Sequence, residues 1–275
     1  MIETATQPGR RDVPNQDLII TAPGLVVLLD GAGGPSEDGG GCRHGVEWLV
    51  RQLGGRLAAR ALTDDSPLSD ILALSIEEVA ALHATTCDLR HPGTPSTTVA
   101  MARRSGDRVE HLSVHDSSLV FAHDDGTTDV ISDRRVEGLP ELRELWADMS
   151  GSPLGSPAHA TARRAYIAAE LAYRNSPGGY WVVGADPRAA TEAVTGSVTV
   201  SGLRSVSAFS DGVADYVDLY ALASWPQVIR TLDRTGPLHL IGIVRAAERQ
   251  DPRGRRWPRF KQHDDASIVH WKLVA

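Results

Sequence analysis

The residues best placed to do chemistry are aspartates, each at the boundary between a β-like run and a tight turn: Asp17 in NQD, Asp30 in LLDGAGG, Asp116 in VHDSS, Asp211 in FSDGVAD and Asp264 in HDDAS. Aspartate is disfavoured inside a strand but suits a strand end, where backbone groups splay apart and the side chain can bond its own turn. Singly, each is an ordinary turn former. Jointly they mean more, because Asp30, Asp211 and Asp264 each flank an apolar run that should be central in a sheet. Strands ending at one rim of a sheet would bring these carboxylates together. Like charges at close range raise each other's pKa, so such a cluster stays ionised only with cations present. Oxygen donors select hard ions, Mg²⁺ or Mn²⁺, over zinc.

Other reactive residue types form weaker patterns. Cys42 and Cys87 have no CxxC spacing, and the histidines show no HxH or HExxH, so neither a disulfide framework nor a zinc site is expected. The cysteines read as reduced, partly buried thiols. Ser96, Thr97 and Thr98 lack a GxSxG frame, and their β-branched context favours a strand. The glycine-rich GAGGPSEDGGG over 31–41 lacks the Lys-Ser/Thr of a P-loop and the full dinucleotide spacing. The Arg-rich run PRGRRWPRFK over 252–261 and His263 beside Asp264 read as a solvated loop; the alternatives are a run that touches nucleic acid or a phosphorylated partner, or lines the approach to the aspartates, and a His263 that supports the site or acts as an acid.

These residues need strands to position them. GLVVLLD at 24–30 reads as a buried strand ending in a carboxylate. Helical periodicity covers 43–61 and 66–85, with Ser66 and Pro67 suited to a helix start. From 95 to 132, short β-rich runs separated by SGD, HD and DDG read as an antiparallel meander. Helices are expected over 139–149, 158–173, 225–235 and 238–250, and further strands at 180–184, 197–202, 206–212 and in the tail. Antiparallel runs interrupted by helix pairs predict an α+β fold, two packed sheets with helices outside, in a single domain over 1–275. Of the 275 residues, 41% are hydrophobic and 23% charged, which excludes fibrous and disordered classes. A net charge of −7 speaks against gripping nucleic acid or an anionic membrane. No apolar stretch has the length of a signal peptide or membrane span, so a cytoplasmic location is expected, and the chain is taken as a monomer.

At these residues the chain resembles the metal-dependent serine/threonine protein phosphatases of type 2C. The shared pieces run in order: Arg10-Arg11, Asn15-Gln16-Asp17, Val27 to Gly34, Pro95 to Val99, Val114 to Ser117, Ser210 to Asp215, and Asp264 to Val269. No single piece is specific; their order and spacing carry the likeness. The resemblance implies a four-layer α-β-β-α sandwich with two Mg²⁺ or Mn²⁺ ions, and a weaker third, in a cleft at one edge. It implies that Asp30 bridges the core ions with the Gly31 carbonyl as a ligand, and that Asp211 and Asp264 complete the set. Asp116 with Asp211 would serve the third ion, and Asp17 would hold water. Phosphoserine or phosphothreonine in proteins would be hydrolysed by direct attack of a metal-bridged water.

The chain departs from the family pattern at four places. Ala32 stands where the family often has a histidine, and Gln16 where it has an acid. Asp12 occupies the position of the phosphate-binding arginine, leaving Arg11 as substitute and Arg10 second. His115 replaces the glycine before Asp116. Ala32, Gln16 and the displaced arginine keep open a catalytically weak relative that binds metal and phosphoproteins, and the same chemistry would equally serve a phosphatase of a small phosphorylated metabolite or peptide intermediate.

Overall fold

The structure is a computed structural model describing residues 1–33 and 39–273. In chain order, β1 (Ile2–Gln7), β2 (Asp17–Ala22) and β3 (Leu25–Ala32) lead to helices α1 (Gly45–Thr63) and α2 (Leu68–His83). Then come β4 (Ser96–Thr97), β5 (Val99–Ser105), β6 (Arg108–Val114), β7 (Ser118–His123) and β8 (Thr128–Ile131). Helices α3 (Pro140–Ser150), α4 (Pro157–Tyr173) and the single turn α5 (Arg188–Thr191) precede β9 (Val194–Thr199) and β10 (Leu203–Phe209). The chain closes with α6 (Asp211–Asp218), α7 (Trp225–Thr235), α8 (Pro237–Gln250) and β11 (Ala266–Lys272).

The strands make two antiparallel sheets. One runs β1-β11-β10-β7-β8 and the other β2-β3-β5-β6-β9, with β4 paired to β3. They pack face to face, and Val26, Leu28, Ala100 and Ala102 of one sheet meet Leu119, Phe121, Val206 and Val269 of the other. The alternate residues of β3, Leu25, Val27 and Leu29, point outward against Leu49, Leu53 and Leu57 of α1 and Ile71, Leu72 and Ile76 of α2. On the far side, Phe209 and Ile268 pack against Val228, Ile229, Ile241 and Val244 of α7 and α8. The fold is therefore an α+β sandwich of two antiparallel sheets flanked by helices, as the sequence predicts. The continuous apolar run of β3 follows from burial on both faces, each Leu or Val contributing about 1.5–3 kcal/mol.

Three expectations need correction. Residues 95–132 do not form one meander: β5 and β6 belong to one sheet, β7 and β8 to the other, and the chain crosses between sheets at 115–117. Residues 180–184 make no strand, only the isolated pairings Arg174–Tyr180 and Thr97–Val183, because Tyr180 and Val182 are used in a satellite core with α3 and α4. The strand expected over 206–212 stops at Phe209, and α6 begins at Asp211. Among the described residues, no helix is long and apolar enough to cross a membrane. Of the glycine-rich loop expected over 31–41, residues 34–38 lie outside the described residues.

Candidate metal centre

Strand register brings the aspartates to one rim. Asp17 and Asp30 lie directly opposite each other across the β2–β3 pair. β3 pairs Leu28 with Ala100 of β5, and β5 pairs Val99 with Val114 of β6, so the end of β6 reaches the same edge as Asp30. Asp116 stands in the turn beyond it. In the other sheet Phe209 pairs with Ser118 at the start of β7 and with Ile268 near the start of β11. Asp211, just past β10, and Asp264, just before β11, therefore arrive at that edge too.

Glycines and hydroxyls hold the rim together. A Cβ on Gly31 would collide with Val46 and come within 2.7 Å of the Gln16 carbonyl, while the Gly31 N–H donates to that carbonyl at 3.2 Å. A Cβ on Gly212 would collide with the Asp265 carbonyl, so only glycine lets the start of α6 press Asp211 against the segment carrying Asp264. The Asp265 carboxylate accepts the Gly9 and Gln16 N–H groups at 2.8 and 2.7 Å, tying the loop before Asp17 to the start of β11. Thr97 Oγ1 donates to the Asp30 carbonyl at 2.9 Å, the Asp30 N–H donates to Thr98 Oγ1 at 3.2 Å, and Thr98 meets the Ser117 hydroxyl at 2.6 Å. The Ser-Thr-Thr run thus fixes the backbone of Asp30 and offers no nucleophile. His115, at φ 66°, adopts the left-handed conformation that a glycine would take freely.

The electrostatics of the cluster are those of crowded acids. Burial, and then the carboxylates of Asp17, Asp211, Asp264 and Asp116, push Asp30 well above the ordinary range. Burial together with Asp264 and Asp116 does the same to Asp211. Burial raises Asp17 to about 7, with Asp265 and Asp264 adding to the rise and the nearby Ser267 and Ser210 hydroxyls opposing it. Asp215, one turn along α6, is raised by burial and by Asp116 to about 8. Asp116 differs. Burial would raise it, but the His115 imidazole, with Nδ1 2.8 Å from Asp116 Oδ1, holds it below the usual value. Both carboxylate oxygens of Asp17 and Oδ1 of Asp211 are buried without a hydrogen bond that satisfies them. Unpartnered buried acid oxygens, converging with mutual repulsion, are what hard divalent cations would satisfy, and the donor set is all oxygen. The residues fit the metal.

Beside the rim lies a cavity of about 380 Å³ lined by Asp116, Asp211 and Asp264 on one wall and by Trp146, Tyr166 and Phe260 on another. Sequence reasoning missed several of its residues. Asp215 was legible only as part of the SDGVAD piece. Glu170 projects from α4 and is raised by burial, with His115 opposing. Lys261 places Nζ 2.7 Å from Asp264 Oδ1. Its lysine identity in an arginine-rich chain was a signal that could have singled it out. Arg11 is exposed and is not among the residues lining this cavity, and Arg10 is held by Asp12. Ala32 is exposed.

The 252–261 run is solvated only in part: Pro252, Arg253, Arg255, Arg256 and Lys261 are exposed, its other residues anchor it, and Arg259, Phe260 and Lys261 line the cavity beside the aspartates, the expected alternative. Asp251 accepts the N–H groups of Arg255, Arg256 and Trp257 at 2.8–3.0 Å, Trp257 is buried, and Arg259 donates to the Trp257 and Asp251 carbonyls. His263 is not free in solvent either, since Nδ1 lies 2.6 Å from Oε2 of the buried Glu248. The cysteines are free and partly buried, as expected, but they are not isolated. Cys42, His44, His83 and Cys87 bring their donor atoms within 4.8 Å of one another, a group able to hold a metal ion, where sequence spacing had predicted none.

A profile of the protein phosphatase 2C family matches residues 7–145. No curated protein matches the sequence. Solved structures share the fold. The Mycobacterium tuberculosis serine/threonine phosphatase PstP/Ppp superposes with a TM-score of 0.60 at 16% identity, covering 100% of this chain and 99% of that one. The catalytic domain of the serine/threonine protein phosphatase PstP in complex with two manganese ions gives 0.59 at 15% identity, covering 100% and 98%. The serine/threonine phosphatase Stp1 from Staphylococcus aureus gives 0.57 at 15%, covering 100% and 95%. The family profile spans half the chain, in the region that contains Asp17, Asp30 and Asp116, and the chain belongs to the protein phosphatase 2C family.

Proposed function

We propose that the protein is an Mg²⁺- or Mn²⁺-dependent phosphomonoester hydrolase acting on phosphoserine or phosphothreonine in proteins. The observation that carries this reading is the convergence of Asp17, Asp30, Asp116, Asp211 and Asp264, among which Asp17 and Asp211 keep buried, unsatisfied carboxylate oxygens. In this reading Asp30, the Gly31 carbonyl, Asp211 and Asp264 hold two core ions, and Asp116 with Asp211 holds a weaker third. Bound cations of this kind supply a nucleophilic water at neutral pH and neutralise charge on phosphoryl oxygens. The chain's own residues do the rest. Asp17 orients water from its place opposite Asp30. The phosphoryl group is captured by a cation, for which Arg11 and Lys261 are the candidates. Arg11 is exposed and has no hydrogen-bond partner among the described residues, while Lys261 already stands at the cavity. Trp146, Tyr166 and Phe260 form an apolar wall suited to a peptide flanking the phosphorylated residue.

One observation favours the second reading, a phosphoprotein-binding relative of low activity: Lys261 occupies Asp264 with a fixed positive charge where a cation ligand is required. Lys261→Ala separates the roles. If the ammonium competes with the metal, Mn²⁺ binds more tightly in the variant and turnover rises. If it captures phosphate, KM rises and Mn²⁺ affinity stays. The substrate reading is tested by a panel in Mn²⁺ of phosphoserine and phosphothreonine peptides against small phosphorylated metabolites. Higher kcat/KM on the peptides is expected; preference for a metabolite would reassign the substrate, and turnover of neither would leave only the binding role.

A further inference from the structure

The geometry points to a second metal site of different chemistry: Cys42, His44, His83 and Cys87 form a tetrahedral Zn²⁺ site that clasps the entry of α1 to the exit of α2. Four of the six donor separations fall in the range of a zinc tetrahedron, and all six lie within 4.8 Å. Cys42 Sγ lies 3.5 Å from Cys87 Sγ and 3.5 and 3.8 Å from Nδ1 of His83 and His44, and Cys87 Sγ lies 3.3 Å from His44 Nδ1. Zn–S near 2.3 Å and Zn–N near 2.0–2.1 Å at tetrahedral angles require ligand-to-ligand distances of about 3.3–3.8 Å. The sulfurs are too far apart to be bonded, since a disulfide needs about 2.05 Å. Thiolate and imidazole donors select zinc, whereas the aspartate rim, all oxygen, selects Mg²⁺ or Mn²⁺.

The backbone builds the site from two short segments. His83 ends α2, and the Cys87 N–H donates to the His83 carbonyl at 2.9 Å, one helical turn that puts both side chains on one face. Cys42 and His44 immediately precede α1. The Asp88 N–H donates to the Gly41 carbonyl at 2.8 Å, joining the two segments beside the ligands. Gly41 adopts φ +72° and lies so close to Asp88 and His91 that a Cβ would collide with both. The ligands are also oriented from outside. Trp48, one turn into α1, has its ring 4.5 Å from that of His44 and 4.7 Å from that of His83. Backbone N–H groups of His44 and Gly45 face Cys42, and that of Arg43 faces Cys87.

The test uses the full, untagged chain, purified under reducing conditions, loaded with Zn²⁺ and passed through a desalting column. Metal analysis should find about one zinc per chain. Cys87→Ser and His83→Asn should each lose it, while Asp211→Asn, at the other cluster, should keep it. Because either zinc-site variant could fail to fold, Co²⁺ is also loaded into the unmodified protein. A thiolate-to-cobalt charge-transfer band with intense visible bands of tetrahedral cobalt is expected. No retained zinc, a cobalt spectrum without the sulfur band, or zinc retained by both folded variants would overturn the assignment. So would a Cys42–Cys87 disulfide whose reduction yields no zinc binding, which would make the pair a redox couple instead.

Discussion

The molecule gathers ligand-type side chains in two places, and the two are built in opposite ways. The aspartates come from the ends of strands in both sheets, so the antiparallel registers bring residues as far apart in sequence as Asp17 and Asp264 to one rim. The Cys/His group comes from a loop and a helix end, and its geometry depends on the short stretch of backbone joining Gly41 to Asp88. Their electrostatics differ as well. The acids repel one another, and Asp17 and Asp211 carry buried oxygens without partners, whereas the thiols and imidazoles lie in contact with one another. Loss of cation should therefore raise the energy of the first site more than that of the second, and this asymmetry can be tested.

The largest expected effect separates shells within the aspartate rim. Asp211→Asn should lower aryl phosphate turnover by about 1,000-fold, and Asp17→Asn, acting through water, by about 10–100-fold. Steady-state kinetics with Mn²⁺ occupancy checks this, and equal occupancy and turnover in the two variants would show the roles misassigned. Next, Gly212→Ala should destabilise the protein by about 1–3 kcal/mol and weaken Mn²⁺ binding, because the new methyl group meets the Asp265 carbonyl. Denaturant unfolding with and without Mn²⁺ measures both.

The pH dependence of the metal-free protein is the third. Asp17 at about 7 and Asp215 at about 8 are raised from 3.8, so the folded state holds protons that the unfolded chain releases. The stability they contribute is fully present below about pH 4 and is lost as pH rises through the folded values. Tm of the metal-free protein should fall between pH 6 and pH 8.5 by several degrees, on the scale of about 2–4 °C per kcal/mol. Saturating Mn²⁺ should flatten the profile. Calorimetric scans that show Tm rising over that interval without metal would contradict the cluster's charge state. Smallest is Arg11→Ala, expected to lower kcat/KM by about 5-fold, roughly 1 kcal/mol for a contact made from an exposed position. Arg10, engaged by Asp12, should be silent.

The difference between the two clusters also explains what could be read from the sequence. β3 was legible because its apolar run ends abruptly in Asp30, and the aspartates stand at strand ends that topology must bring to a rim. The crossing at 115–117 was not, since a turn joining two strands of one sheet and a turn passing between sheets look alike in sequence. β1, IETATQ, is too polar to announce itself and forms by pairing with β11 at a sheet edge. Lys261 is visible in the sequence only within the 252–261 run, and Glu170 not at all, because their meeting with the rim depends on how that segment and α4 fold over it. The Cys/His group has no spacing motif in the sequence, because one pair precedes the start of a helix and the other straddles the end of the next.

The central claim is that the aspartate rim works only with a hard cation. Aryl phosphate turnover should be measured after exhaustive EDTA treatment and again as Mn²⁺ is returned, with Asp211→Asn in parallel. The account predicts no turnover in EDTA, recovery with Mn²⁺, and almost none in the variant at any Mn²⁺ concentration that restores the parent. Full turnover in EDTA, or recovery as complete in Asp211→Asn as in the parent, would contradict it.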